Sequence, residues 1–200
     1  IENGLGSYNH DDSKSNIWNS DILGTYSTKI SDFNITLSLG ANYRNEYSSY
    51  KNIRGNDAKV PNFYRIGNYK NSFSSEGITK KAIYSYYALG QFGFKGYLYF
   101  DATIRNDNSS ALPQANNSYW YHSENMSLLF TKLLGINSNL LSHGKLRGSF
   151  AKVGNDTNPY RTQAVYNVDQ TVTLPYTVAS ISESLPSFDL RPETSESWEI

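Results

Sequence analysis

The stretch "YLYFDATIRNDNSS", Tyr97 to Ser110, decides how the chain is read. Leu98, Phe100, Ala102 and Ile104 fall on one face of an extended backbone. Tyr97, Tyr99, Asp101, Thr103, Arg105 and Asp107 fall on the other. Side chains alternate across a strand with period 2, so this is a β-strand with one apolar and one polar face. The pattern leaves the solvent open. The apolar face either packs into the core of a soluble sandwich or turns outward to lipid from the wall of a membrane barrel.

Working outward, "FNITLSLGANYRNE" (Phe33 to Glu46) alternates the same way, with Phe33, Ile35, Leu37, Leu39, Ala41 and Tyr43 on one side. Ser20 to Ile30 precedes it through the hairpin-length link Ser31-Asp32. Lys81 to Phe92 leads through Gly93–Gly96 into the opening strand, and the glycines predict a tight turn. A third pair is predicted at Tyr119 to Phe130 and Gly144 to Asn155, with a short helical turn between, and a last strand at Pro192 to Ile200. That makes about seven strands in all. Links within pairs are short, at Ser31-Asp32 and Gly93–Gly96, with Thr131–His143 somewhat longer. Links between them, at Tyr47–Lys80, Asn108–Ser118 and Asp156–Arg191, are long and polar and hold the prolines, save Pro192 at a strand start. In an up-and-down meander all short turns then lie at one end and all long loops at the other. Membrane barrels show this asymmetry, whereas Greek-key sandwiches have less reason to.

Composition sets outer bounds. The chain has 200 residues, with 18 basic and 18 acidic side chains, which gives no electrostatic case for nucleic acid. It has no Cys, which excludes thiol catalysis, cysteine zinc sites and disulfides. The start, Ile1-Glu2-Asn3-Gly4, is unlike a signal peptide, and no apolar run is long enough for a membrane helix. Seventeen Tyr against one Met suit strands, and surfaces where a ring is dry at one end and wet at the other.

Five segments then carry a family resemblance. "YLYFDATIRNDNSS" resembles the strand and Arg-x-Asp-Gly-Ser-Ser exit of SusC/RagA-type TonB-dependent outer-membrane transporters. "SYYALGQF", "QANNSYWYHSENMSLLF", "GKLRGSFAKVGNDTNPY" and "LRPETSESWEI" are similar to further strands of that family, in the family's order, from about Ile22 onward. Asn108 stands where the family has glycine, and Asn tolerates the left-handed turn conformation that glycine supplies. Lys152 falls in the apolar register, where a mid-bilayer lysine costs about 2–4 kcal/mol, so it is expected near the rim and snorkelling.

The resemblance implies an all-β chain, a segment of a large antiparallel up-and-down transmembrane β-barrel with short periplasmic turns and long extracellular loops. Residues 1–200 would be part of that barrel domain, with the plug and TonB-contacting segment upstream and further strands beyond Ile200. It implies TonB-dependent import of a large nutrient, oligosaccharide or peptide, across the bacterial outer membrane. The partners would be a SusD-like surface lipoprotein, the TonB complex and outer-membrane lipids. The rival function is a secreted soluble β-sandwich that binds glycans.

No residue set has catalytic spacing, so the chain is not expected to be an enzyme, and no cofactor is implied. His10, His122 and His143 lack ligand spacing, and "NHDDS" (Asn9 to Ser13) reads as a solvated loop rather than a Ca²⁺ site. Leu98, Phe100, Ala102 and Ile104 are the expected lipid-facing residues. Asp101, Thr103, Arg105, Lys145 and Arg147 are expected to line the lumen, facing a plug or substrate path or pairing across strands. Tyr64 and Trp120 are the substrate-contact candidates, Trp120 having an interfacial-girdle role as its alternative.

Overall fold

The computed structural model describes residues 6–138, 140–169, 178–181 and 186–200. Its strands are β1 (Ser7–Ile30), β2 (Phe33–Ala58), β3 (Tyr69–Phe94), β4 (Leu98–Ser109), β5 (Ser118–Leu128), β6 (Leu146–Asn155), β7 (Tyr166–Asp169), β8 (Val178–Ile181) and β9 (Glu193–Glu199). A helical turn, α1 (Phe130–Leu133), follows β5. Strands β1 to β6 and β9 form one seven-stranded sheet in that order, while β7 and β8 pair as a separate hairpin. The ladders that join β3, β4, β5, β6 and β9 are all antiparallel. No helix of the described residues is long and apolar enough to cross a membrane.

The short turns take the conformations their residues allow. Lys95 and Gly96 both have positive φ, at 46° and 69°, and the Tyr97 N–H donates to the Phe94 carbonyl at 3.1 Å. That is a type I′ turn, whose twist matches that of the flanking strands. Ser31 turns the first hairpin at φ 55°. The two turns are tied together: the Lys95 N–H donates to the Asp32 carbonyl at 2.9 Å.

The chain clusters into two units, residues 1–18 with 45–81, and residues 19–44 with 82–200. In the first, the structure corrects the expected long link at Tyr47–Lys80. Most of it is strand, because β2 runs to Ala58 and β3 starts at Tyr69. "NHDDS" is likewise part of β1 rather than a loop. These segments carry polar residues on both faces, so no hydrophobic period marks them. Their pairing rests on backbone ladders and polar cross-strand contacts. Ser15 and Ser48 hydroxyls lie 3.3 Å apart, the Asn52 amide donates to Asn9 at 2.8 Å, and Tyr8 stacks on Tyr69 at 5.7 Å.

In the second unit the two-faced wall is regular. The rows Gly90–Ala102–Glu124–Phe150–Trp198 and Ala88–Ile104–His122–Lys152–Glu196 run straight across β3, β4, β5, β6 and β9. The apolar face is not covered by any second sheet among the described residues. Ile22 is 73 % exposed, Leu39 70 % and Ile104 47 %. This overturns, for the described residues, the sandwich reading, in which the same side chains would form a closed core. Asn108, expected to turn the chain out of β4, is a ladder residue opposite Ser118, and the strand continues to Ser109.

Candidate functional site: the two faces of the wall

On the polar face, β4 places Asp101, Thr103, Arg105 and Asp107 in one column, and neighbouring strands supply their partners. The Asn125 amide donates to Asp101 at 3.2 Å, and the Thr103 and Ser123 hydroxyls lie 2.7 Å apart. Arg105 donates through Nε to Asp107 at 2.8 Å and through Nη2 to the Ser85 hydroxyl at 2.9 Å, and its guanidinium lies 5.8 Å from the Tyr87 ring centre. The Tyr121 hydroxyl donates to the second Asp107 oxygen at 2.8 Å, and that of Tyr87 donates to Asp21 at 2.7 Å. Ser85 and Asp107 are buried. In these bonds Asp101, Thr103 and Arg105 take their partners from β3, from β5 and from Asp107 on their own strand, and not from one another. Arg147 shares their face, exposed opposite Ser127. Lys145 lies just before β6, exposed in the preceding link.

The outer end of this face is pinned by the loops. Ser109 hydrogen-bonds Asp156, the Ser110 N–H donates to the Ala82 carbonyl at 2.9 Å, and the Ala82 N–H donates back to the Ser110 hydroxyl at 2.9 Å. The Asn116 amide donates to Asp189 at 2.9 Å, and Arg191 pairs with the same carboxylate at 3.2 Å. The Asn116 bond first, and Arg191 second, hold the Asp189 carboxyl below its ordinary value. The "NDNSS" motif is therefore the clasped end of β4.

On the apolar face, Leu98, Phe100, Ala102 and Ile104 line up with Leu128, Met126 and with Phe92, Gly90 and Ala88. Aromatic pairs stand toward both ends: Phe33 with Phe94 at 4.6 Å, and Tyr43 with Tyr84 at 4.9 Å. Trp120 is on this face too, 63 % exposed and opposite Asn106 on β4, which in turn opposes Tyr86 on β3. It is thus on the opposite side of the sheet from Arg105 and Asp101. Tyr64 lies in the link between β2 and β3, exposed, its hydroxyl 3.5 Å from Asn62.

Sequence reasoning missed one group here. His122, Glu124, Lys152 and Glu196 all sit on the apolar face. His122 Nδ1 is 2.7 Å from Glu124, and Lys152 Nζ donates to Glu196 at 2.7 Å. Lys152 was singled out, and the structure gives it a carboxylate partner on the next strand. The other charges were legible in principle, since alternation from Met126 and Leu128 puts Glu124 and His122 in the same register.

No protein-family model and no curated protein matches the chain. Solved structures do. It is similar to a chain of the RagAB peptide transporter, at 21 % identity and TM-score 0.84, over 94 % of this chain and 21 % of that one. A RagAB peptide importer in a "closed-closed" state matches at 20 % identity and TM-score 0.84, over 95 % and 22 %. An "open-open" state matches at 22 % and TM-score 0.74, over 95 % and 21 %. The chain spans about a fifth of the length of these neighbours. At such identity the likeness establishes the fold. The seven-stranded sheet is a stretch of antiparallel up-and-down barrel wall, not closed on itself within these residues.

Proposed function

We propose that the chain is part of the barrel of a SusC/RagA-like, TonB-dependent importer in a bacterial outer membrane, moving a large nutrient such as an oligosaccharide or peptide. The observation that carries this reading is the match of nearly the whole wall to RagAB transporter structures. The faces support it. On the apolar column of β4 Phe100 and Ile104 are exposed and Leu98 and Ala102 half-buried, with no covering layer among the described residues, and the 12 residues of that strand meet the roughly 9–11 that a tilted membrane strand needs.

In this reading Leu98, Phe100, Ala102 and Ile104 face lipid, and Trp120 belongs to the interfacial girdle with Tyr84 and Tyr86. Asp101, Thr103, Arg105 and Arg147 face the lumen, the hydrogen bonds of the first three stiffening the channel wall. Tyr64 remains the loop candidate for substrate contact. A SusD-like lipoprotein and the TonB complex are the expected partners, the RagAB neighbours supporting the first. The protein transports and does not catalyse.

Nitroxides placed at Leu98, Phe100, Ala102 and Ile104 of the full-length protein in outer membranes test the orientation. Oxygen-accessible and polar-quencher-protected labels are expected. Labels hidden from both reagents would sink the membrane reading. Uptake of labelled peptide or oligosaccharide pools, with and without TonB, tests the activity, and TonB-independent uptake would refute the coupling.

A further inference from the structure

The link from Lys59 to Asn68, which joins β2 to β3 inside the first unit, is built to hold a shape. Asn68 is buried, and its side chain spans the loop. Its amide donates to the Val60 and Phe63 carbonyls, both at 2.8 Å, and its Oδ1 accepts from the Val60 N–H at 3.0 Å. The backbone closes the same loop. The Lys59 N–H donates to the Asn68 carbonyl at 2.7 Å, and the Asn68 N–H to the Arg65 carbonyl at 2.8 Å. At its base Tyr69 is buried and stacks on Tyr8. A loop fixed this firmly still turns apolar rings outward, Phe63 being 51 % exposed and Tyr64 68 %. Charge is uneven here too. Lys51 to Lys70 holds five basic side chains, Lys51, Arg54, Lys59, Arg65 and Lys70, against the single acid Asp57, in a chain that balances 18 against 18. All five are exposed, and among the described residues none of them forms an ion pair.

Taking the chain as an importer wall and Tyr64 as its substrate-contact candidate, on which this inference rests, we propose that the Lys59–Asn68 loop captures acidic oligosaccharides, chains of sugar rings that bear carboxylates. Phe63 and Tyr64 offer flat faces for the apolar C–H faces of sugar rings. Arg65, next to Tyr64 in the chain, and Lys59 offer charged donors, and the planar fork of an arginine matches a carboxylate with two hydrogen bonds. A neutral glycan would make no use of these cations. A peptide fits less well, because one bound as an added strand needs free backbone donors and acceptors. Here the Lys59 and Val60 N–H groups, the Val60 and Phe63 carbonyls and both backbone groups of Asn68 are already used inside the loop. Those same bonds hold the rings and cations in place before a ligand arrives, so little ordering cost falls on binding.

The test uses the full-length protein, purified in detergent, and three probes: an oligogalacturonate, a maltodextrin of equal length and an oligoglutamate of equal charge. Titration calorimetry is expected to show binding of the oligogalacturonate alone, weakening as salt is raised. Arg65→Ala is expected to weaken it about tenfold or more, and Tyr64→Ala about threefold to tenfold. Both side chains are exposed, so neither change threatens folding. Asn68→Ala acts through the loop's shape, and should weaken binding and speed proteolytic nicking of the loop together. Equal binding of the maltodextrin, equal or tighter binding of the oligoglutamate, or full affinity in Arg65→Ala overturns the proposal. No binding of the oligogalacturonate, with the β4 nitroxides accessible to oxygen, overturns the capture site and leaves the importer reading standing. Nitroxides hidden from both reagents overturn both, since the loop is taken as part of the importer.

Discussion

At the scale of single residues, the wall depends on glycines that admit rings from neighbouring strands. A Cβ at Gly40 would stand 2.2 Å from Cζ of Tyr87. Tyr87 is itself held by its bond to Asp21, so the ring cannot swing aside without losing that bond. Gly40→Ala is therefore expected to destabilise the folded barrel by about 1–3 kcal/mol. The companion Tyr87→Ala should remove most of the effect in a double-mutant cycle read by urea titration. An effect independent of Tyr87 would refute the contact. The Lys152–Glu196 pair makes a second prediction. Glu196→Leu leaves a lysine unpartnered in the apolar band, at about 2–4 kcal/mol if it faces lipid. Lys152→Leu with Glu196→Leu should be closer to wild type than either single change, because both charges leave together. Equal losses from single and double variants would show the pair to be uncoupled.

At the scale of elements, loops are secured at the end of β4 away from the short turns. Asn116 and Arg191 converge on Asp189, whose carboxyl is held below its ordinary value of 3.8 by those bonds. A lowered folded value means that the ionised form is the bound one. The clasp is thus fully present above the ordinary value and is lost as pH falls through the folded one. Hydrogen exchange at residues 111–117, corrected for the intrinsic pH dependence of amide exchange, should stay constant from neutrality down to about pH 4 and rise below it. In Asp189→Asn the acid-triggered rise should disappear. An unchanged pH profile in that variant would assign the rise to another group.

At the scale of the molecule, the sheet order ends on β1 and β9 and has one broad exposed apolar face. Unpaired edges and exposed apolar surface invite intermolecular pairing, and a bilayer tolerates only closed sheets. Residues 1–200 expressed alone are expected to aggregate, and to show no cooperative thermal transition even in detergent, until the strands that close the barrel are supplied. A monomeric, soluble, cooperatively unfolding product would revive the sandwich.

Much of the second unit was legible residue by residue. The alternation of Leu98 to Ile104 and Phe33 to Tyr43, the Lys95-Gly96 turn, the helical turn after β5 and the clustering of polar side chains on one face all follow from period and turn chemistry, which are local. Where polar residues occupied both faces, as in the outer lengths of β1, β2 and β3, periodicity had nothing to detect. Only the ladder, with its cross-strand contacts such as Asn52 with Asn9, decides that those segments are strands. Likewise Arg105 could be assigned to a face from sequence, but not its bonds to Asp107 and Ser85. Nor could the meeting of Lys152 with Glu196, 44 positions apart, because a partner's identity depends on register between strands. The sequence by itself determined the alternation and therefore the two faces. The tertiary structure alone decided which charges meet across strands and that no described layer covers the apolar side, for both depend on neighbours distant in the chain.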